Sequence, residues 1–222
     1  MSGVELPVLT PSTATGRPAL SPQREIALMR RASLLARLGI AWHVFEAAVA
    51  VAAGIAASSI ALIGFGADSV VESLAGLVVI WRFAPGRRHT ALAELRAQRL
   101  IAVSFAVIGV YVGVEAIRGL LESSHPESSP IGIGLAVVTL ITMPLLARAK
   151  ARVGHELGSS ATVSEGRQNL LCAYLSVALL VGLGANAALG WWWADPLTAL
   201  AIAAVALQEG RAAWRGDACD CC

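Results

Sequence analysis

The sequence predicts an all-α membrane protein with six transmembrane helices and both termini in the cytoplasm. Three observations support this fold class: the composition, six long apolar blocks, and the distribution of basic residues. The chain has 222 residues, of which 56% are hydrophobic and only 14% are charged. A soluble domain carries about 25% charged residues, so the composition argues against an ordinary soluble protein.

Six apolar blocks approach the length of about 20 helical residues that crosses a bilayer. They cover residues 34–57, 59–82, 99–121, 130–147, 169–188 and 190–208. The fourth block is short and carries Pro144 near its end. We expect a transmembrane domain over residues 33–210, preceded by a flexible cytoplasmic tail (1–32) and followed by a short Cys-rich cytoplasmic tail (211–222). Residues 21–32 alternatively form a basic amphipathic helix along the inner membrane surface.

The basic residues are distributed asymmetrically over the predicted loops. Of the 17 Lys and Arg residues, only Arg118 falls on the side of the acidic loop that contains Glu122 and Glu127. Because short cytoplasmic loops carry the excess of Lys and Arg, both termini are predicted to face the cytoplasm. Residues 191–193, all tryptophan, would then anchor the chain at the outer interface. The single Lys against 16 Arg, together with abundant Ala, suggests a GC-rich bacterial genome, so we expect the membrane to be a bacterial plasma membrane.

Two carboxylates interrupt the second apolar block. Asp68 and Glu72 lie one helical turn apart and therefore project from the same face. Because an ionised carboxylate is costly in hydrocarbon, we expect both to face the bundle interior and to bind cations such as Zn²⁺, Mn²⁺ or Fe²⁺. Gly64 and Gly76 continue this stripe and would allow neighbouring helices to approach closely. The alternative is a structural hydrogen-bonded pair buried between helices.

Polar residues on the first and fifth blocks would face the same interior. His43 and Glu46, three residues apart, form either a second cation site or a proton relay. The alternative is that Trp42 and His43 lie near the inner interface, where polarity costs little. Glu165, Gln168 and Cys172 form a polar stripe that enters the membrane from the cytoplasmic side, and the last two offer metal ligands. Alternatively, Cys172 is a small buried hydrophobe and Glu165 lies in a solvated loop.

Three other features have simpler interpretations. Glu115 and Arg118 have the spacing of a helical ion pair. Asp195 and Pro196 are suited to the N-cap and first position of the sixth helix. The clustered cysteines of the tail either capture soft metal ions or have no role. They are Cys219, Cys221 and Cys222.

Several motifs in order along the chain carry a family resemblance. They are Ser58-Ser-Ile-Ala-Leu62 with Asp68-Ser-Val-Val-Glu72, Tyr111-Val-Gly-Val-Glu115-Ala-Ile-Arg-Gly-Leu120, Gly190-Trp-Trp-Trp-Ala-Asp195-Pro196, and Glu209-Gly-Arg-Ala-Ala-Trp-Arg-Gly216. Together they resemble the second, third and sixth helices of the cation diffusion facilitator family, over about residues 30–215. This resemblance implies a six-span exporter that exchanges a divalent metal for protons, commonly as a homodimer.

The resemblance also implies a transport site between the second and fifth helices. The family places two His or Asp residues four apart on its fifth helix, where this chain has Gln168 and Cys172. An amide and a thiol would lower the charge of the site and shift its preference toward softer ions. The chain has no His-rich loop between the fourth and fifth spans, and we expect no C-terminal cytoplasmic metal-binding domain.

The leading hypothesis is a secondary transporter that exports a Zn-like divalent cation by proton antiport. Asp68 and Glu72 would be the primary ligands, completed by Cys172 and Gln168, with Glu46 nearby. The alternative is a non-transporting metal-binding sensor, or a modulator of a partner transporter. Catalysis with Cys172 as nucleophile is disfavoured, because the nearest candidate base, His43, has no evident orienting arrangement with that cysteine unless folding brings the two together. We therefore expect no enzyme activity, prosthetic group or nucleic-acid partner. The expected partners are the metal ion, protons, the lipid bilayer and a second copy of the chain.

Overall fold

The computed structural model describes residues 21–82 and 91–215, and the regular structure of these residues is entirely α-helical. The helices are α1 (Pro22–Ala57), α2 (Ile60–Arg82), α3 (Ala91–Leu121), α4 (Pro130–Leu157), α5 (Ser160–Leu189) and α6 (Ala194–Arg215). The all-α prediction is therefore confirmed for this part of the chain. Stretches long and apolar enough to cross a membrane occur in α1, α3, α4 and α5. Six crossings stay a prediction, and the tail cysteines lie outside the described residues.

The first helix begins earlier than the predicted start of the transmembrane domain at residue 33. Ser21 is its N-cap, since the Ser21 side chain accepts a hydrogen bond from the Arg24 amide at 3.4 Å. Pro22 occupies the first helical position, where a missing N–H costs nothing. Residues 22–32, predicted as part of a tail or as a surface helix, are therefore continuous with α1.

The fourth and fifth helices also extend beyond the apolar blocks at 130–147 and 169–188. α4 continues through Pro144 to Leu157 and ends at Gly158, whose φ of 66° suits a glycine. α5 begins at once, because the Ser159 side chain caps it by accepting the Thr162 amide at 3.3 Å. Charged residues end an apolar block without ending a helix, because they are compatible with helical backbone. Glu165 consequently lies within α5, where its side chain is buried.

The helices pack as a group of four and a pair. Helices α1, α2, α4 and α5 form the group, while α3 and α6 pack on each other and against α2. Helix α6 also contacts α5. At one end, here called the basic end, Arg24 pairs with Glu156 at 3.1 Å and joins the start of α1 to the end of α4. At the opposite end, the Glu127 amide donates to the Ala57 carbonyl oxygen at 2.8 Å.

Side chains are distributed as expected for helices that face lipid. Large apolar side chains lie outside, as at Ile55 and Leu145, which are 68% and 60% exposed. Small residues such as Ala36 and Ala50 lie fully inside, together with charged ones such as Glu46. Small residues let helices approach closely, and buried ionisable groups in a membrane protein usually have a functional role.

Asp195 joins α6 to the start of α2 at the opposite end. Its carboxylate accepts a hydrogen bond from the Ser59 hydroxyl and another from the Ala61 amide at 3.3 Å. The sequence predicted that Asp195 caps its own helix, but it lies inside the first turn of α6 and binds the N-terminus of α2 instead. Helix N-termini offer unpaired N–H groups, so a carboxylate from a neighbouring helix serves equally well.

Replacing Asp195 by alanine is expected to destabilise the protein by about 0.5–2 kcal/mol, because the α2 terminus loses its acceptor. The midpoint of thermal unfolding in detergent should fall by about 2–4 °C for each kcal/mol. The matched control is Glu115→Gln, since Glu115 forms the predicted ion pair with Arg118 at 2.8 Å at an exposed position. Equal midpoints for the two variants would contradict a stabilising role for this contact.

Candidate metal site

Four side chains with metal-binding atoms meet inside the four-helix group. They are His43 and Glu46 of α1, Glu72 of α2 and Cys172 of α5, and one ligand atom from each lies within 4.8 Å of the others. All four residues are buried. His43 and Glu46 share one face of α1, because residues three apart in a helix are neighbours. We call this group the four-residue cluster.

Glu46 is the most fully bonded member of the cluster. Its Oε1 accepts a hydrogen bond from the Thr139 hydroxyl of α4, and its Oε2 accepts one from the Ser69 hydroxyl of α2 at 2.9 Å. The Cys172 thiol lies 3.7 Å from Oε2, within hydrogen-bond reach for sulfur. Glu46 therefore connects all four helices of the group, and its carboxylate is held in one orientation.

One carboxylate oxygen of Glu72 has no hydrogen-bond partner among the described residues. Its Oε2 lies 3.0 Å from His43 Nδ1, close enough for an ion pair, yet makes no well-aligned hydrogen bond with any described residue. The same Nδ1 lies 3.3 Å from Glu46 Oε2, and one ring nitrogen donates at most one proton. A buried carboxylate oxygen without a hydrogen bond is costly. A bound cation would satisfy it.

The other two residues predicted as ligands lie next to the cluster but are not members of it. Asp68 is buried one turn from Glu72 on α2, toward the opposite end. Gln168 is half-buried one turn from Cys172 on α5, toward the basic end. It borders a cavity of about 360 Å³ that Arg167 and Glu209 also line. Gln168 therefore lies between the cluster and a cavity at the basic end.

A second polar group adjoins the cluster and was not predicted. The Lys150 ammonium of α4 donates to Glu165 Oε1 at 2.7 Å and to Asn169 Oδ1 at 2.9 Å. Asn169 Nδ2 lies 3.3 Å from His43 Nε2, which links this group to the cluster. Lys150 is one of the basic residues that follow the fourth apolar block, and neither it nor Asn169 was predicted to lie at the site. The spacing of four residues between Glu165 and Asn169 was the available signal, because it places the two side chains on one face of α5.

The donor set of the cluster suits a transition-metal ion. An imidazole nitrogen, carboxylate oxygens and a thiol are the ligands that Zn²⁺ accepts, and the thiol also favours softer ions such as Cd²⁺. Mg²⁺ and Ca²⁺ prefer all-oxygen sites, so the sulfur disfavours them. The residues therefore fit a divalent transition-metal ion.

Comparison with known proteins identifies the family. The cation efflux transmembrane domain matches residues 36–215, which is most of the chain. The chain therefore belongs to the cation efflux family, as the sequence motifs predicted. It is a multi-pass membrane protein of a family of transporters.

Three relatives illustrate the range of similarity. Transmembrane protein 163 of Xenopus laevis is 24% identical over 73% of this chain and 58% of its own length. An uncharacterized transporter of Synechocystis is 24% identical over 68% of this chain and 52% of its own length. A probable cation efflux system protein of Mycobacterium tuberculosis is 32% identical over 58% of this chain and 40% of its own length. The matched region thus covers about 40–58% of these relatives.

Proposed function

We propose that this chain transports a Zn-like divalent transition metal across the membrane in exchange for protons. The observation that carries the proposal is the four-residue cluster, whose ligand atoms converge within 4.8 Å in the interior of the four-helix group. Membership of the cation efflux family supports transport of a cation. The mixed nitrogen, oxygen and sulfur donor set supports Zn²⁺ and Cd²⁺ over harder ions.

The proposed ligands extend over two turns of α2 and α5. Glu72, Cys172 and Glu46 would hold the ion, with His43 as an additional donor. Asp68 would receive the ion on the side of the opposite end, and Gln168 on the side of the basic end. With ligands in this order along the helices, an ion can exchange one ligand at a time and keeps other ligands at every step.

Proton exchange follows from the chemistry of the same ligands. Carboxylates and thiols must be deprotonated to bind a metal, so binding releases protons and reprotonation favours metal release. Protons would therefore compete with the cation for Glu72 and Cys172. We expect alternating access, in which helix movements open the site to each side of the membrane in turn.

The proposed orientation places the basic end in the cytoplasm, with both termini on that side. Basic residues favour the cytoplasmic face, and the cavity beside Gln168 opens at the same end. A cation would enter through this cavity and leave at the opposite end, which is the direction of efflux. We further propose a homodimer, as the resemblance implies, in a bacterial plasma membrane, as the preference for Arg over Lys suggests.

The test is metal-dependent proton flux in proteoliposomes that contain the purified full chain. Zn²⁺, Cd²⁺, Co²⁺, Fe²⁺ and Mn²⁺ would be screened against an imposed pH gradient, with protein-free liposomes as control. We expect Zn²⁺ and Cd²⁺ to drive proton movement and Mn²⁺ to do so weakly. Absence of flux with every ion, from protein that still binds metal, would contradict transport.

A second candidate is a metal-binding sensor or a modulator of a partner transporter. The observation that favours it is the fifth helix, where Gln168 and Cys172 replace the His or Asp residues that the resemblance led us to expect. This candidate predicts tight Zn²⁺ binding without flux, and recovery of the chain in a stable complex with another membrane protein. Flux from the chain alone would eliminate it.

A further inference from the structure

Lys150 places a positive charge deep inside the four-helix group. Its side chain is 1% exposed, and no other Lys or Arg side chain is buried among the residues whose exposure the structure describes. Its path runs beside Gly39 of α1, where an added Cβ would lie 2.7 Å from the Lys150 ammonium. A buried ammonium within apolar helices is costly, so a specific set of partners must hold it.

The partners of Lys150 are groups that also bind metal cations. The ammonium contacts a carboxylate oxygen of Glu165 and the amide oxygen of Asn169. Because an ammonium only donates, the oxygen of Asn169 faces Lys150 and its nitrogen faces His43 Nε2 at 3.3 Å. The second oxygen of Glu165 is buried and has no hydrogen-bond partner among the described residues. Glu165 and Asn169, here called the cage, therefore offer more acceptor atoms than the single ammonium of Lys150 uses.

The cage lies directly beside the four-residue cluster. Lys150, Glu165 and Asn169 line a narrow space together with His43 and Glu72, and this space is too small to hold a water molecule. The ammonium thus fills the interior of the four-helix group on the basic side of the cluster. The cavity beside Gln168, between α5 and α6, is the wider space at that end.

We propose that the Lys150 ammonium occupies a second cation position, built by Glu165 and Asn169, next to the four-residue cluster. The lysine acts as a tethered cation that balances Glu165 and keeps a second divalent ion out. The interior of the four-helix group therefore holds a single metal ion in the natural protein. This inference concerns occupancy alone, so it holds or fails independently of transport.

Removing the ammonium is expected to open this position to a metal ion. Methionine is one heavy atom shorter than lysine, so the variant Lys150→Met removes the ammonium and leaves Glu165 and Asn169 facing the space that it occupied. The full chain in detergent would be titrated with Mn²⁺ and bound ion counted by electron paramagnetic resonance. Mn²⁺ suits oxygen ligands and binds thiols weakly, so the cysteine tail contributes little background. We expect Lys150→Met to bind one more Mn²⁺ per chain than the natural protein.

Two control variants isolate the cage. Lys150→Arg retains the positive charge, and the double variant Lys150→Met/Glu165→Gln removes the carboxylate as well. Both should bind the same amount of Mn²⁺ as the natural protein. Equal binding by Lys150→Met and the natural protein would overturn the proposal.

Loss of Lys150 leaves a buried unpaired carboxylate, which is strongly destabilising. If Lys150→Met is recovered folded only when Mn²⁺ is present throughout purification, the ion has replaced the ammonium and the proposal is supported. Failure of Mn²⁺ to rescue it, with the double variant folding normally, would overturn the proposal. Binding by the natural protein tests the four-residue cluster separately, because the proposal depends only on the difference between variants.

Discussion

Replacing Glu72 by glutamine is expected to lower the affinity for Zn²⁺ and Cd²⁺ by more than about 100-fold and to abolish flux. Glutamine preserves the size of the side chain but removes the charge of the oxygen that lacks a hydrogen bond. Loss of an outer-shell partner of a metal ligand costs about 10–100-fold in affinity. Loss of a direct charged ligand should exceed that range.

The matched comparison is Asp68→Asn, the same chemical change one turn away on α2. Asp68 is buried but lies outside the four-residue cluster, so we expect a smaller loss of affinity from this variant. Isothermal titration with Zn²⁺ and proteoliposome flux would be measured for both. An Asp68→Asn effect on affinity larger than that of Glu72→Gln would show that Asp68 is the stronger of the two ligands that the sequence predicted as primary.

The second large effect is expected at Cys172, where serine should change the order of metal preference. A thiolate binds soft ions strongly, whereas a hydroxyl does not. Affinity for Cd²⁺ should fall by about 100-fold, that for Zn²⁺ by less, and that for Mn²⁺ little. The result would be a site that no longer prefers Cd²⁺ over Mn²⁺.

Competition titrations with the three ions would measure this change in the full chain, with the cysteine tail left intact in every variant. Ser176→Ala is the matched control. It removes a buried hydroxyl one turn away that donates only to the Cys172 carbonyl oxygen, at 2.8 Å. A uniform loss of affinity for all three ions in Cys172→Ser would indicate a packing role for the thiol rather than ligation.

The helices could be predicted from the sequence because hydropathy reports on them directly. The positions of the helix ends were predicted less accurately. The block ending at residue 147 stops where basic residues begin, but the helix continues to Leu157, because backbone hydrogen bonding does not require apolar side chains. Ser159 and Gly158 mark the true boundary by capping, which is a local signal that hydropathy does not detect.

The candidate site was predictable only in part, for a physical reason. The spacing of residues along one helix reveals a shared face, and this identified Glu72, Cys172 and Glu46 as members of the interior. Contacts between helices depend on rotation and depth, which spacing does not determine. Lys150 therefore looked like a basic flanking residue, although a carboxylate on α5 draws its ammonium into the interior.

The contact between Asp195 and the start of α2 also has a mechanical consequence. It fixes the first turn of α6 at one end of the molecule, whereas the cavity lined by Gln168 and Glu209 lies near the other. With 22 residues, α6 is about 33 Å long, so a rotation of about 10° around the fixed turn displaces its far end by about 6 Å. The contact of Asp195 would thus be the fixed point of any tilt of α6. A small tilt there becomes a displacement wider than a metal ion at the mouth of the cavity.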